Sequence, residues 1–263
     1  MSGFFTIEDR QAAFEFIRST ADACSKVVSL VQVGSGAIGY HDEYSDLDFV
    51  VALDSDDSML EVMDYVRKEI SAKYELLYFA QNESRHLQVY LLSNFLEIDI
   101  GYGGYEHAAA NKPAFRVLYD KTGVVEEKMI RSREWMDDVI FGEKQKKDLA
   151  LAAQSVWMRL MHAAVAIHRG QTLHAMGELD QVRTQYIDLV GDRCRLESAL
   201  NREMDRLPEA EKAAILSTYL TGADSDALWN CLLTLTERIF NELEGVETPL
   251  TRELLQRYYQ KLR

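Results

Sequence analysis

Two short acidic patterns are the residues of this chain most able to do chemistry. In "SDLDFVVAL" (45–53), Asp46 and Asp48 stand two apart in an apolar, β-branched run, and in "FLEIDIGY" (95–102) Glu97 and Asp99 repeat the spacing. Side chains alternate across a strand, so Asp46 and Asp48 project from one face while Leu47, Phe49 and Val51 point to the other. Carboxylates held that close repel. A divalent cation removes the penalty, and hard oxygen donors select Mg²⁺ or Mn²⁺. The alternative is a solvated strand face. Ahead of the first pattern, "VGSGAIGY" (33–40) sets Gly34 and Ser35 directly after a strand-like run. A turn without side-chain bulk exposes N–H groups and a hydroxyl there, which suits phosphate oxygens. Gly36 and Gly39 keep that turn permissive.

These residues need strands to carry them and helices to cover the strands. "TIEDRQAAFEFIRSTADA" (6–23) opens with a capping pair, Thr6 and Asp9, and places Ile7, Phe14, Ile17 and Ala21 at helical spacing. Strands are expected at 26–33, 46–53, 74–80, 86–92, 95–102 and 115–120, with a Ser-capped helix at 55–73. From about residue 124 the pattern is helical, clearest over 143–169, where an apolar stripe from Leu149 to Ile167 ends at Gly170. Further helices are expected at 171–190, 209–221, 224–243 and 249–262. The reading is an α+β fold: a small mixed β-sheet domain flanked by helices (1–123), followed by an all-α helical bundle domain (124–263).

Composition narrows the function classes. The formal charge is −14, and residues 1–125 hold 20 acids against 10 Lys and Arg, a net of −10. The remaining 23 acids and 19 bases give −4, so the acidity belongs mainly to the half with the acidic strands. Such a field repels polyanions, which disfavours a nucleic-acid partner, and attracts metal ions and cationic small molecules. No stretch reads as the run of roughly 18 apolar residues a membrane span needs. "MSGFFTIEDRQAAFEF" meets acids early and lacks a signal-peptide layout, so a cytoplasmic location and no membrane partner are expected. Cys24, Cys194 and Cys231 are odd in number and far apart, and fit neither a disulfide framework nor a thiolate zinc site.

Gly-Ser, a ten-residue gap, Asp-x-Asp on a strand and a later acid on another strand resemble the nucleotidyltransferase superfamily with the DNA polymerase beta-like fold. In size and layout the chain is most similar to the bacterial aminoglycoside and lincosamide nucleotidyltransferases. The motif covers 34–48 and 95–102. The resemblance implies that Asp46, Asp48 and Asp99 are catalytic metal ligands for two Mg²⁺ ions (or Mn²⁺), with Glu97 a competitor for the third place. It implies that Gly34 and Ser35 bind the phosphates of a co-substrate, ATP or another NTP. The activity implied is transfer of a nucleoside monophosphate, AMP from ATP, onto a hydroxyl of an aminoglycoside-like or lincosamide-like small molecule, with release of pyrophosphate. An antitoxin-like or regulatory module of the same fold, binding or nucleotidylating a protein, is the alternative. One departure stands out: relatives often carry Arg or Lys in the turn after Gly-Ser, and none lies between Ser35 and Asp46 here. Lys112, Arg116 and Lys121 are the bases elsewhere that fit the need. Glu106 is a candidate general base. His41, Asp42 and Glu43 form the loop before the acidic strand.

Overall fold

The computed structural model describes residues 4–39, 42–110, 114–135 and 141–263. The chain divides into two compact units, Met1–Met136 and Asp137–Arg263. His41 and Lys112 lie outside the described residues.

The first unit is built on six strands: β1 (Val27–Gln32), β2 (Leu47–Leu53), β3 (Leu76–Asn82), β4 (Leu87–Leu92), β5 (Glu97–Gly104) and β6 (Arg116–Asp120). They form one mixed sheet in the order β3-β4-β5-β2-β1-β6. The central pair, β2 and β5, is parallel, and the other pairings are antiparallel. Helix α1 (Ile7–Ala23) begins at a full capping box: Thr6 accepts from the Asp9 amide, and the Asp9 carboxylate accepts from the Thr6 amide. A one-turn helix α2 (Gly34–Ala37) occupies the glycine-rich turn after β1. Ser55 accepts from the Asp57 amide in a short 3₁₀ turn that leads into α3 (Met59–Lys73), and α4 (Val124–Trp135) follows β6.

Period-2 alternation decides which face each strand buries. Leu47, Phe49, Val51, Ile98 and Ile100 are fully buried beneath the apolar faces of α1 and α3, with Phe14, Ile17, Met63 and Val66. Asp48, Val50 and Ala52 take the opposite face, where Val31, Ala52, Val125 and Met129 make a smaller core. One expected member of the α1 stripe is displaced. Ile7 is 52% exposed, and the buried stripe contains Arg10 with Ala13, Phe14, Ile17 and Ala21.

The second unit is all-helical: α5 (Phe141–His168), α6 (Thr172–Cys194), α7 (Glu209–Leu216), α8 (Ser225–Glu242) and α9 (Arg252–Leu262). Its core joins Val156, Leu160, Ala163 and Ala164 of α5 to Leu179, Val182, Tyr186 of α6 and Leu228, Leu232, Leu235, Ile239 of α8. Gly170 ends α5 in the left-handed region (φ 68°), with its N–H on Ile167 O and the Gln171 N–H on Ala166 O. The expectation of no stretch long enough for a membrane needs correcting. Within Gly142–His168 an 18-residue window, with a mean hydropathy of 1.2, is long and apolar enough to cross one by length and composition alone. That apolarity is accounted for by the stripe buried against α6 and α8.

Candidate functional site

The site lies at the mouth of the parallel strand pair. β2 and β5 start side by side with Leu47 opposite Ile98 and Asp48 opposite Asp99. Each acid is flanked by buried apolar residues, so both carboxylates are forced onto one face. Asp46 stands just ahead of β2, exposed, and accepts from Ser35 Oγ at 3.1 Å. β1 is antiparallel to β2, which returns the α2 turn to the same mouth, and the Val33 N–H donates to Asp48 O at 3.0 Å. Gly34, at φ 65°, lies against the Asp48 side chain: a Cβ there would stand 1.9 Å from Oδ2. The structure thus brings Gly34, Ser35, Asp46, Asp48 and Asp99 to one end of the sheet.

Glu97 and Asp99 divide in environment. Glu97 is exposed, while Asp99 is half-buried and its Oδ1 is enclosed without a hydrogen-bond partner. Burial, helped by the negative charges of Glu97 and Asp46, pushes the Asp99 carboxyl up to about 6. A desolvated acid with an orphaned oxygen, beside Asp48 in register, is a place where positive charge is favoured, and the donors are all carboxylate oxygens. The set fits a hard divalent cation. Among the described residues, no three His, Cys, Asp or Glu side chains converge on a common point as ligands would.

Beside the acids is a cavity of about 490 Å³ lined by Phe5, Ser35, Asp42, Tyr44, Ser45, Asp46, Phe95 and Glu97. Among the described residues its walls carry three carboxylates, three aromatic rings and three hydroxyls, one of them the Tyr44 phenol, with no Lys or Arg. Asp42 is fixed by donors from Ser45 Oγ (2.8 Å) and the Tyr44 N–H (3.0 Å), and these hold its carboxyl below the usual range. Phe95 sits at φ 67° and meets Phe4 with ring centroids 5.5 Å apart.

The expected auxiliary groups are mostly elsewhere. Lys121 donates to Asp22 O and Val27 O at the opposite end of β1 from Gly34. Glu106 lies in the 3₁₀ turn Tyr105–His107 beyond the far end of β5, whose last residue, Gly104, is five strand steps or about 16 Å from Asp99. Arg116 faces Gln32 in register at the site end of β6, exposed, with its guanidinium 5.6 Å from the Phe14 ring centroid.

The residue that sequence reasoning missed is Arg10. It is 3% exposed; its Nε donates to Ser45 O at 2.9 Å and its Nη2 to Asp46 O at 3.0 Å. Burial, and to a smaller extent the charge of Arg116, lower its pKa while Asp46, Asp42 and Asp48 oppose that shift, so this cation sits in the field of the acidic cluster. The signal was present in the heptad-like spacing: Arg10 lies three, four and seven residues before Ala13, Phe14 and Ile17.

No family model and no curated protein matches the sequence. Among solved structures the chain is similar to an aminoglycoside 6-adenyltransferase from Bacillus subtilis, over 94% of this chain and 96% of that one, at 14% identity and a TM-score of 0.41. It is also similar to a cytoplasmic RNA terminal U-transferase, over 59% of this chain and 39% of that one, at 18% identity and a TM-score of 0.28.

Proposed function

We propose that the protein is a metal-dependent nucleotidyltransferase that moves a nucleoside monophosphate, AMP from ATP, onto a hydroxyl of a small molecule of aminoglycoside-like or lincosamide-like type, the acidity of the site favouring the cationic aminoglycoside. The observation that carries the reading is the register pairing of Asp48 with Asp99 beside the Gly34–Ser35 turn. Asp46, Asp48 and Asp99 are the residues that would hold Mg²⁺. Bound there, the cation would supply charge neutralisation of the triphosphate and polarisation of the α-phosphorus. Gly34 and Ser35 seat phosphate oxygens through a turn that lets the chain pass close to Asp48. The acceptor enters the acidic and aromatic cavity, where Glu97 and Asp42 attract its cationic groups. Its hydroxyl oxygen bonds to the α-phosphorus, the bond to the β-phosphate oxygen breaks, and pyrophosphate leaves while a carboxylate of the site takes the proton. Most of the work assigned to the protein is alignment and electrostatics.

The reading is tested by incubating the chain with Mg²⁺, α-labelled ATP and a panel of aminoglycosides and lincosamides. Label should pass to an acceptor with wild type and not with Asp48→Ala. Equal transfer by Asp48→Ala sinks the metal-ligand assignment. Label on protein with none on any small molecule turns the reading toward a protein acceptor.

A further inference from the structure

The turn after Gly34 lacks a base, yet the acidic cluster is not without a cation. Arg10 reaches it from beneath, out of the buried stripe of α1. Removing a guanidinium from water is costly unless its donors are used and its charge is matched. Two of its donors go to the consecutive carbonyls of Ser45 and Asp46, and Asp46, Asp42 and Asp48 supply the opposing charge. The fork geometry suits adjacent carbonyls in a way that a single ammonium does not. Space for it is left by Gly36, where a Cβ would stand 3.2 Å from Arg10 Nη2 and 2.2 Å from Gln32 Nε2. Gln32 is itself fully buried, with neither side-chain nitrogen nor oxygen partnered.

We propose that Arg10 is a positioning residue of the acidic site. Its fork fastens the backbone of Ser45 and Asp46 to α1, so that the chain enters β2 in one orientation and the Asp46–Asp48 pair keeps its place beside Gly34 and Ser35. Its charge offsets the mutual repulsion of Asp42, Asp46 and Asp48, the task that a base in the turn would otherwise share. At 3% exposure it acts through Asp46 and not by touching a substrate. The kinetic consequence rests on the nucleotidyl-transfer reading, whereas the fastening itself does not.

The test uses the full chain as wild type, Arg10→Lys and Arg10→Met, the first keeping the charge and losing the fork. Hydrogen exchange by mass spectrometry should show peptides spanning 42–48 exchanging about tenfold faster or more in each variant. Peptides from β4 and the middle of β5 should stay within about twofold of wild type. Transfer kinetics should show kcat falling about tenfold or more in Arg10→Met, with Arg10→Lys between it and wild type and the KM for nucleotide little changed. Unchanged exchange at 42–48 in Arg10→Met overturns the proposal. So does exchange that rises equally across the whole unit, the mark of a merely structural residue. If Arg10→Met does not fold, Arg10→Lys, which keeps the charge but cannot bridge both carbonyls, carries the same comparison. Absence of transfer by wild type defeats the functional reading, and the exchange data still decide the fastening.

Discussion

Gly34 and Asp48 approach so closely that no side chain fits between them: a Cβ on Gly34 would lie 1.9 Å from Asp48 Oδ2 and 2.6 Å from its Cγ. The same glycine is at φ 65°, which costs an L-residue about 1–2 kcal/mol. Gly34→Ala therefore must move either the turn or the Asp48 carboxylate, and transfer should fall by about 100-fold or more, as when a charge-stabilising group is lost. Gly39 is the control. It also has a positive φ, 103°, but a Cβ there meets nothing within 4 Å. Gly39→Ala should cost about 1–2 kcal/mol of stability or more, from backbone strain alone, and leave kcat near wild type. Equal loss of activity in both variants would place the cost in the backbone and not in the contact with Asp48.

Asp99 should make the metal-free protein lose stability as the pH rises. Its folded pKa of about 6 lies above the ordinary 3.8, because burial comes first and Glu97 and Asp46 add to it. Between those values the native state holds a proton that the unfolded chain has released, so stability falls with rising pH. The contribution is fully present below the unfolded pKa and lost as pH passes the folded one. In EDTA, Asp99→Asn should therefore gain Tm relative to wild type between about pH 4 and pH 7. Added Mn²⁺, which favours the ionised carboxylate, should shrink that difference at the upper end. Parallel pH profiles for the two proteins would show that Asp99 is not desolvated as the fold places it.

Glu97 and Asp99 should separate kinetically although they share a strand face. Asp99 is the register partner of Asp48, while Glu97 is exposed and lines the cavity. Asp99→Asn should lower kcat by about 100-fold or more, the scale seen when a transition-state electrostatic partner is lost. Glu97→Gln should raise the KM for a cationic acceptor and leave kcat within about twofold, the signature of uniform binding. Reversed effects would make Glu97 the third acid of the proposed metal site.

The acidic strands were legible because period-2 alternation is local: Leu47, Phe49, Ile98 and Ile100 announce which face is buried, and the acids take what is left. The capping box at Thr6 and the stop at Gly170 were legible for the same reason. Arg10 was only half legible: its spacing puts it in the buried stripe, but a charged residue in an amphipathic helix reads as surface. What holds it lies 35 and 36 residues away, in backbone carbonyls that carry no side-chain signature. Whether Glu106 could reach the acids was not legible, because its reach depends on the direction of β5. Only the parallel pairing with β2 fixes that direction, sending the strand away from the site. The glycine-rich turn expected after β1 is a single helical turn, Gly34–Ala37, too short for local pattern to specify its type.

Behind β5, a buried amide holds the sheet that carries Asp99. Gln88 of β4 is fully buried opposite Ile100, accepts from Tyr90 OH at 2.7 Å and Tyr102 OH at 2.6 Å, and donates to Met63 O and Gln81 Oε1 at 3.0 and 2.9 Å. Every donor and acceptor of the side chain is used, which is what makes a buried polar group tolerable. Gln88→Leu keeps roughly the volume but orphans two phenol hydroxyls and a carbonyl. Each such group costs about 1–3 kcal/mol, so chemical denaturation should show a loss of about 3 kcal/mol or more. Gln88→Glu, which keeps two acceptors but brings a charge into the core, should be at least as damaging near neutral pH and partly recover in acid. A Gln88→Leu protein as stable as wild type would mean that the two tyrosines find other partners and that the network does not secure β4 to β5.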